Sequence, residues 1–147
     1  MSIKLEGRVA IVTGAGQGLG RTHALALAER GAKVVVNDLG GADGVSPNAK
    51  SVAAEIRAAG GEAIANGANV ADWGQVQDMV QQTVDEWGRV DILINNAGIL
   101  RDKSFLKMSM DDFRLVIDVH LIGSANCTKA VWEIMREQAY GRIVFTT

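Results

Sequence analysis

The sequence predicts an α/β protein of the doubly wound type, in which helices cover both faces of a parallel β-sheet. Three observations support this prediction. Short apolar runs of strand length alternate with longer helical patterns through all 147 residues, their connections are short, and four glycines separate the first strand from the first helix. Alternating strands and helices imply parallel pairing with right-handed crossovers. We therefore expect one domain over residues 1–147, with about five strands in the spatial order 3-2-1-4-5.

The composition of the chain argues against several function classes. The net charge is −2 and no basic run is present, so neither a nucleic-acid partner nor an anionic membrane partner is predicted. No apolar run approaches the roughly 18 residues that a membrane helix needs. Cys127 is the single cysteine and is expected to be a small buried hydrophobe. No cluster has metal-ligand spacing, so no metal is predicted. Without an apparent signal peptide, we expect a cytoplasmic protein.

The first strand and the turn after it are the stretch around which the chain is organised. Val9–Val12 is an apolar run that suits a strand buried on both faces, and a helix is predicted over Leu19–Arg30. Glycines in the turn let a pyrophosphate approach the backbone, and the helix N-terminus offers N–H groups and positive partial charge. A P-loop is excluded because no Lys-Ser or Lys-Thr pair follows. Tight packing of strand on helix is the alternative role of these glycines, which are Gly14, Gly16, Gly18 and Gly20.

The second strand, Lys33–Asn37, ends at an acidic residue, Asp38. An acid about 20 residues beyond a glycine-rich turn is where a dinucleotide-binding fold places the carboxylate that accepts the adenosine ribose hydroxyls. The same carboxylate would repel a 2′-phosphate, and residues 39–48 contain no Arg or Lys. We therefore predict NAD rather than NADP as the cofactor. An ordinary surface aspartate at a strand end is the alternative.

The rest of the chain continues the alternation. A glycine-rich loop over 39–48 leads into a helix with Ser46 as N-cap, and 99–108 is predicted to be a loop at the carboxyl edge of the sheet, where substrates of open α/β folds bind. Arg101 and Lys103 in that loop are interpreted as solvated charges, with contact to an anionic substrate group as the alternative. The other predicted elements are a strand over 62–66, a helix over 72–87, a strand over 91–95, a long helix over 109–138 and a last strand over 141–147.

Two motifs resemble the short-chain dehydrogenase/reductase family. They are T-G-x-x-x-G-x-G, starting at Thr13, and N-N-A-G over 95–98. The resemblance implies a Rossmann-type fold and hydride transfer with a nicotinamide cofactor. Asn69 departs from the family, which usually has aspartate at this position. The cofactor-binding residues that the resemblance implies are Gly14, Gln17, Gly18, Leu19, Gly20, Asp38, Asn69, Val70, Asn96, Ala97 and Gly98.

Three longer runs resemble one branch of the family, the (3R)-hydroxyacyl-CoA dehydrogenases. These runs are V-V-V-N-D-L-G-G (34–41), N-N-A-G-I-L-R-D (95–102) and V-H-L-I-G-S (119–124). The resemblance implies NAD-dependent oxidation of a small-molecule 3-hydroxyacyl thioester to the 3-oxo form. The alternative is a 3-oxoacyl reductase, which usually prefers NADPH and is therefore harder to reconcile with Asp38. Family members commonly form dimers and tetramers, so a homodimer or homotetramer is expected.

The family's catalytic Ser, Tyr and Lys have no match in this sequence. Tyr140 is the single tyrosine, and Val144 stands where Y-x-x-x-K would need a lysine. The resemblance places the serine just after Thr147, so we expect a chain truncated before the last strands and inactive alone.

A fourth family position, usually asparagine, is His120. This histidine is predicted to hold a water molecule or a backbone carbonyl and to permit a proton relay, with helix packing as the alternative. His23 is interpreted as structural. A non-catalytic nucleotide-binding module is a second hypothesis. A methyltransferase is a third, and the N-N-A-G motif argues against it.

Overall fold

The computed structural model describes residues 2–147. Its centre is a parallel sheet of five strands in the order β3-β2-β1-β4-β5, which confirms the predicted topology. Parallel strands buried on both faces need continuous apolar runs, and the four residues of the first strand are all buried. The strands are β1 (Val9–Val12), β2 (Lys33–Asn37), β3 (Ala63–Asn66), β4 (Ile92–Asn95) and β5 (Arg142–Phe145).

Helices cover the sheet on both faces. One apolar layer joins α1 and α2 to the sheet, and a second joins α3 and α5 to its other face. Ser46 caps α2 by accepting a hydrogen bond from the Asn48 N–H at 3.1 Å, as predicted. The helices are α1 (Gly18–Glu29), α2 (Pro47–Ala58), α3 (Trp73–Trp87), α4 (Met110–Ile117) and α5 (Gly123–Glu137).

The long helix predicted over 109–138 is interrupted. A π-helical turn at Asp118–Ile122 separates α4 from α5, and such turns occur frequently at functional sites. The prediction of one regular helix was therefore wrong at this point. A π-helical turn is wider than an α-helical turn, so it changes which face of the helix the following apolar residues occupy. Leu121 on this turn is 61% exposed. A short 3₁₀ turn, Phe105–Lys107, lies in the segment predicted to be a loop.

Burial of the single cysteine is confirmed. Cys127 on α5 is 1% exposed, and burial raises the pKa of its thiol to about 12. A thiol this difficult to ionise is a poor nucleophile at neutral pH. Its role is to fill the core beside Val131, which is fully buried.

The register of the sheet brings the ends of its central strands together. β1 pairs with β2 on one side and with β4 on the other, all running in the same direction. The segments that follow these strands therefore leave the sheet at one edge. This edge contains the glycine turn, Asp38 and the N-N-A-G motif.

Candidate functional site

Two glycines of the turn, Gly14 and Gly20, lie too close to the N-N-A-G motif to admit a side chain. A Cβ on Gly14 would lie 2.9 Å from the Ala97 Cα, and this glycine has φ +62°. A Cβ on Gly20 would collide with the Gly14 carbonyl and lie 2.5 Å from the Asn96 Nδ2. The turn and the N-N-A-G motif are thus packed backbone against backbone. Glycine is required here by close approach as well as by dihedral angle.

The N-terminus of α1 opens from this turn without a side-chain cap. Gln17 stands at the N-cap position and makes no capping hydrogen bond, while Gly18 has φ +57° with open space where a Cβ would lie. The first N–H groups of a helix have no partner within the helix and carry positive partial charge. Leu19 beside them is 63% exposed. This helix end is suited to hold a diphosphate, so the residues present fit the predicted use of the turn.

Thr13, which was not among the predicted cofactor-binding residues, joins the two motifs. Thr13 is 1% exposed, and its Oγ1 accepts hydrogen bonds from the N–H groups of Asn96 (3.0 Å) and Ala97 (2.9 Å). In return the Asn96 Nδ2 donates to the carbonyls of Thr13 and Gly14, both at 3.2 Å. Asn96 therefore ties the end of β4 to the backbone that follows β1. The sequence signal for this role of Thr13 was a hydroxyl side chain directly after an otherwise apolar strand.

Asp38 lies directly against the glycine turn. The Ala15 N–H donates to the Asn37 carbonyl at 2.7 Å, which ties the turn to the end of β2. A Cβ on Gly16 would collide with the Asp38 carboxylate, so the glycine makes room for this acid. Burial raises the pKa of Asp38 above its usual value, and a hydrogen bond with Ser46 offsets part of the rise. The carboxylate is therefore next to the turn, as the predicted ribose site requires.

The position of Asp38 depends on Asn37, which was not among the predicted site residues. Asn37 is 2% exposed, and its Nδ2 donates to the Asn66 Oδ1 and to the Ala68 carbonyl, both at 3.0 Å. These bonds join the ends of β2 and β3. The Asp38 N–H adds a bond to the Asn66 carbonyl at 3.0 Å, so the backbone that carries the acid is fixed on both sides.

Asn69 and Val70 follow β3 and are held by local bonds. The Asn69 Oδ1 accepts from the Ala71 N–H at 3.0 Å, so its amide oxygen stabilises a turn. Val70 is 6% exposed and packs closely on the start of α5. A Cβ on Gly123 there would lie 2.6 Å from the Val70 Cγ2. Their predicted contact with the adenine of the cofactor stays a prediction.

His120 lies on the π-helical turn and faces the N-N-A-G motif. Its Nε2 is 3.1 Å from the Ile99 nitrogen and 3.0 Å from the Ile99 oxygen, so the ring either accepts from the N–H or donates to the carbonyl according to its tautomer. A Cβ on Gly98 would lie 2.6 Å from the His120 Cε1. Within residues 2–147 no hydrogen bond reaches its other nitrogen, Nδ1. His23 on α1 takes no part in these contacts.

Residues 2–147 contain neither a cluster of metal-binding side chains nor a membrane-spanning helix. No three His, Cys, Asp or Glu side chains in that range lie close enough to bind a metal ion. Likewise, none of the helices described there combines the length and the apolar character that spanning a bilayer would require.

Comparisons with known proteins identify the family to which the chain is similar. The family described as short chain dehydrogenase matches residues 8–147. The peroxisomal multifunctional enzyme type 2 of Drosophila melanogaster is 54% identical over 99% of this chain and 24% of its own length. A 3-oxoacyl-[acyl-carrier-protein] reductase of Synechocystis is 48% identical over 97% of this chain and 56% of its own length.

A solved structure has the same fold as this chain. A short chain dehydrogenase from Mycobacterium avium superposes with a TM-score of 0.88 at 48% identity, covering 97% of this chain and 54% of that one. The chain thus spans about half of that structure and a quarter of the fly enzyme's length. With the motifs, the topology and the matched range in agreement, the chain belongs to the short-chain dehydrogenase family, whose members are oxidoreductases.

Proposed function

We propose that the protein containing this chain oxidises a 3-hydroxyacyl thioester to the 3-oxoacyl thioester with NAD⁺. In this oxidation C3 of the substrate loses a hydride and its hydroxyl group loses a proton. Nicotinamide, when bound, accepts the hydride. The observation that carries the choice of NAD is the Asp38 carboxylate against Gly16, because an anion there would repel a 2′-phosphate.

The residues of this chain would bind and orient the cofactor. The uncapped start of α1 and the glycine turn suit the diphosphate, and Asp38 suits the adenosine ribose. Ala97 and Gly98, held to β1 through Thr13 and Asn96, would leave room beside the nicotinamide. We assign His120 to proton transfer, because its Nε2 is occupied by Ile99 while Nδ1 is open to a water molecule.

The second candidate function is reduction of a 3-oxoacyl thioester with NADPH. It is favoured by the relative from Synechocystis, which is named as a 3-oxoacyl-[acyl-carrier-protein] reductase. It requires a site for a 2′-phosphate beside Asp38, where residues 39–48 provide no cation. A nucleotide-binding module without turnover is the third candidate, and activity of the full-length protein would eliminate it.

We expect Asp38→Ala to weaken NADH binding about tenfold, because two charge-assisted hydrogen bonds to the ribose are lost from a partly exposed site. Asp43→Ala is the matched control. It removes an exposed acid from the same loop, where Asp43 is paired with Lys50. Fluorescence titration with NADH and with NADPH measures both affinities. NADH affinity unchanged in Asp38→Ala, or wild-type affinity higher for NADPH than for NADH, would contradict the NAD assignment.

NADH affinity is also expected to fall with decreasing pH, and to begin falling at a higher pH than the ordinary aspartate value of about 4 allows. Burial raises the pKa of Asp38, and only the ionised carboxylate accepts both ribose hydroxyls. Asp38→Asn provides the control, since its amide does not titrate. Titrations repeated between about pH 7 and pH 4 should therefore converge for the two proteins in acid. Parallel curves would show that a different group controls binding.

Assembly and compartment are further parts of the proposal. Exposed apolar side chains on the α4–α5 face, including Phe113 (40% exposed) and Trp132 (57% exposed), support association into a homodimer or homotetramer. Light scattering on the full-length protein tests this. We propose the cytoplasm as the compartment, although the Drosophila relative is named as a peroxisomal enzyme. Microscopy of the tagged full-length protein distinguishes the two compartments.

A further inference from the structure

We propose that the loop over 99–107 binds the phosphate of a pantetheine-linked thioester through Arg101 and Lys103. The inference rests on the proposed function, since it names the part of the substrate that this loop would hold. Coenzyme A and acyl carrier proteins both carry a 4′-phosphopantetheine arm, whose phosphate belongs to a diphosphate in coenzyme A and to a phosphodiester on the carrier protein. The two sources therefore share one recognition chemistry.

The loop begins inside the candidate site. The Ile99 backbone contacts the His120 Nε2 at 3.0 and 3.1 Å, so the first residue of the loop is fixed beside the proposed proton-transfer group. Arg101 follows two residues later, at most about 7 Å farther along the chain. The cationic side chains thus lie at the border of the site.

Two cations of the loop share a single carboxylate. The Arg101 Nε lies 3.5 Å from the Asp112 Oδ1, and the Lys103 Nζ lies 3.6 Å from the Asp112 Oδ2. Both distances exceed the roughly 2.7–2.9 Å of charge-assisted hydrogen bonds. Asp112 is itself fixed, because its N–H donates to the capping Ser109 Oγ at 3.0 Å. The Arg101 Nη1 donates to the Leu100 carbonyl at 2.8 Å, whereas the Lys103 ammonium has no bond shorter than 3.6 Å to Asp112. With Asp102 and Lys107 included, the loop and Asp112 together keep one net positive charge, which favours an anionic ligand.

Apolar side chains flank Arg101 and Lys103 along the chain. Leu100 is 76% exposed, Phe105 is 79% exposed and Leu106 is 93% exposed. A loop that presents apolar and cationic groups together matches a ligand with an apolar arm and an anionic end. A phosphopantetheine thioester has this form, since its acyl and alkyl portions lie at one side of an arm that ends in a phosphate. A small secondary alcohol without a carrier would not use the cations.

The test compares thioesters that differ in the phosphate. For the full-length Arg101→Gln, Lys103→Gln double variant, we expect the KM for 3-hydroxybutyryl-CoA, for the acyl-carrier-protein ester, or for both to rise about tenfold. The KM for 3-hydroxybutyryl-pantetheine, which lacks the phosphate, should change by less than about twofold. The ester whose KM rises identifies the carrier. Arg114→Gln is the matched control, an exposed cation of α4 paired with Asp111 at 3.5 Å.

Two results would overturn the proposal. Equal increases in KM for all three thioesters would mean that the cations only hold the loop in place. Unchanged KM values for both phosphate-bearing thioesters would mean that the cations face solvent, or that another part of the assembly covers the apolar side chains.

Binding of free coenzyme A separates this proposal from the proposed function. Calorimetry without a dinucleotide should show binding by the wild type and about tenfold weaker binding by the double variant. If the wild type oxidises no thioester but shows this difference, the proposed reaction fails and the phosphate site is retained. If thioesters are oxidised but coenzyme A binding is the same in both proteins, the phosphate site fails and the reaction is retained.

Discussion

Gly20→Ala is expected to weaken NADH binding more than 100-fold, roughly 3 kcal/mol of binding free energy. The added Cβ would collide with the Gly14 carbonyl and the Asn96 side chain, and the first of these is backbone that cannot rotate away. Relief of the collision would have to move α1 away from the N-N-A-G motif. The helix N-terminus and the turn would then no longer form one diphosphate site. Fluorescence titration with NADH measures the loss.

Two other glycine variants provide the controls for this prediction. Gly74→Ala in the first turn of α3 introduces a Cβ whose nearest contact is the Asp72 Oδ1 at 3.4 Å, so affinity and folding should both be retained. Gly18→Ala tests dihedral strain alone, because its Cβ would meet open space at φ +57°, a conformation that costs an alanine about 1–2 kcal/mol. Circular dichroism shows whether each variant is folded. A folded Gly20→Ala protein with NADH affinity near that of the wild type would refute close packing at the turn.

The fold was accessible from the sequence because each element carries its own signal. β1 is a fully buried apolar run, and parallel strands with both faces covered need such runs. The start of α2 at Ser46-Pro47 follows from capping chemistry, which is local to a few residues. Strand order followed from the alternation of strands and helices together with the handedness of crossovers. None of these inferences requires knowledge of which side chains meet.

The missed residues act through contacts between distant parts of the chain. Thr13 bonds to backbone 83 and 84 residues away, and Asn37 bonds to groups 29 and 31 residues away. Their chemistry is visible in the sequence, but the partners are defined only when the strands lie side by side. The π-helical turn is a similar case, because the sequence pattern of 109–138 predicts a continuous helix. The turn is nevertheless what brings His120 to Ile99.

Asp91→Ala is expected to lower the free energy of unfolding by about 3 kcal/mol, although Asp91 lies away from the candidate site at the start of β4. Its side chain is fully buried and accepts hydrogen bonds from the Val9 N–H (2.9 Å), from the Arg89 Nε (2.7 Å) and Nη2 (2.6 Å), and from the Arg8 Nη1 (3.1 Å). Alanine would leave both guanidinium groups and the strand N–H without their acceptor. Urea denaturation measures the change, with exposed Asp111→Ala as the control.

The contacts of Asp91 also predict how the free energy of unfolding changes with pH. Burial alone would raise the pKa of Asp91, but the hydrogen bonds from Arg89, from the Val9 N–H and from Arg8 together hold it below its usual value. The ionised form is therefore favoured in the folded state. Its stabilising contribution is complete above the unfolded pKa of about 3.9 and is lost as the pH falls through the lower folded value.

The stability difference between the wild type and Asp91→Asn should consequently be constant near neutral pH and should shrink below about pH 4. The amide of the variant does not titrate and cannot regain the lost bonds, so only the wild type changes in this range through this residue. If the difference instead stayed constant down to the acid transition, the charge on Asp91 would not be what holds β1 and β4 together.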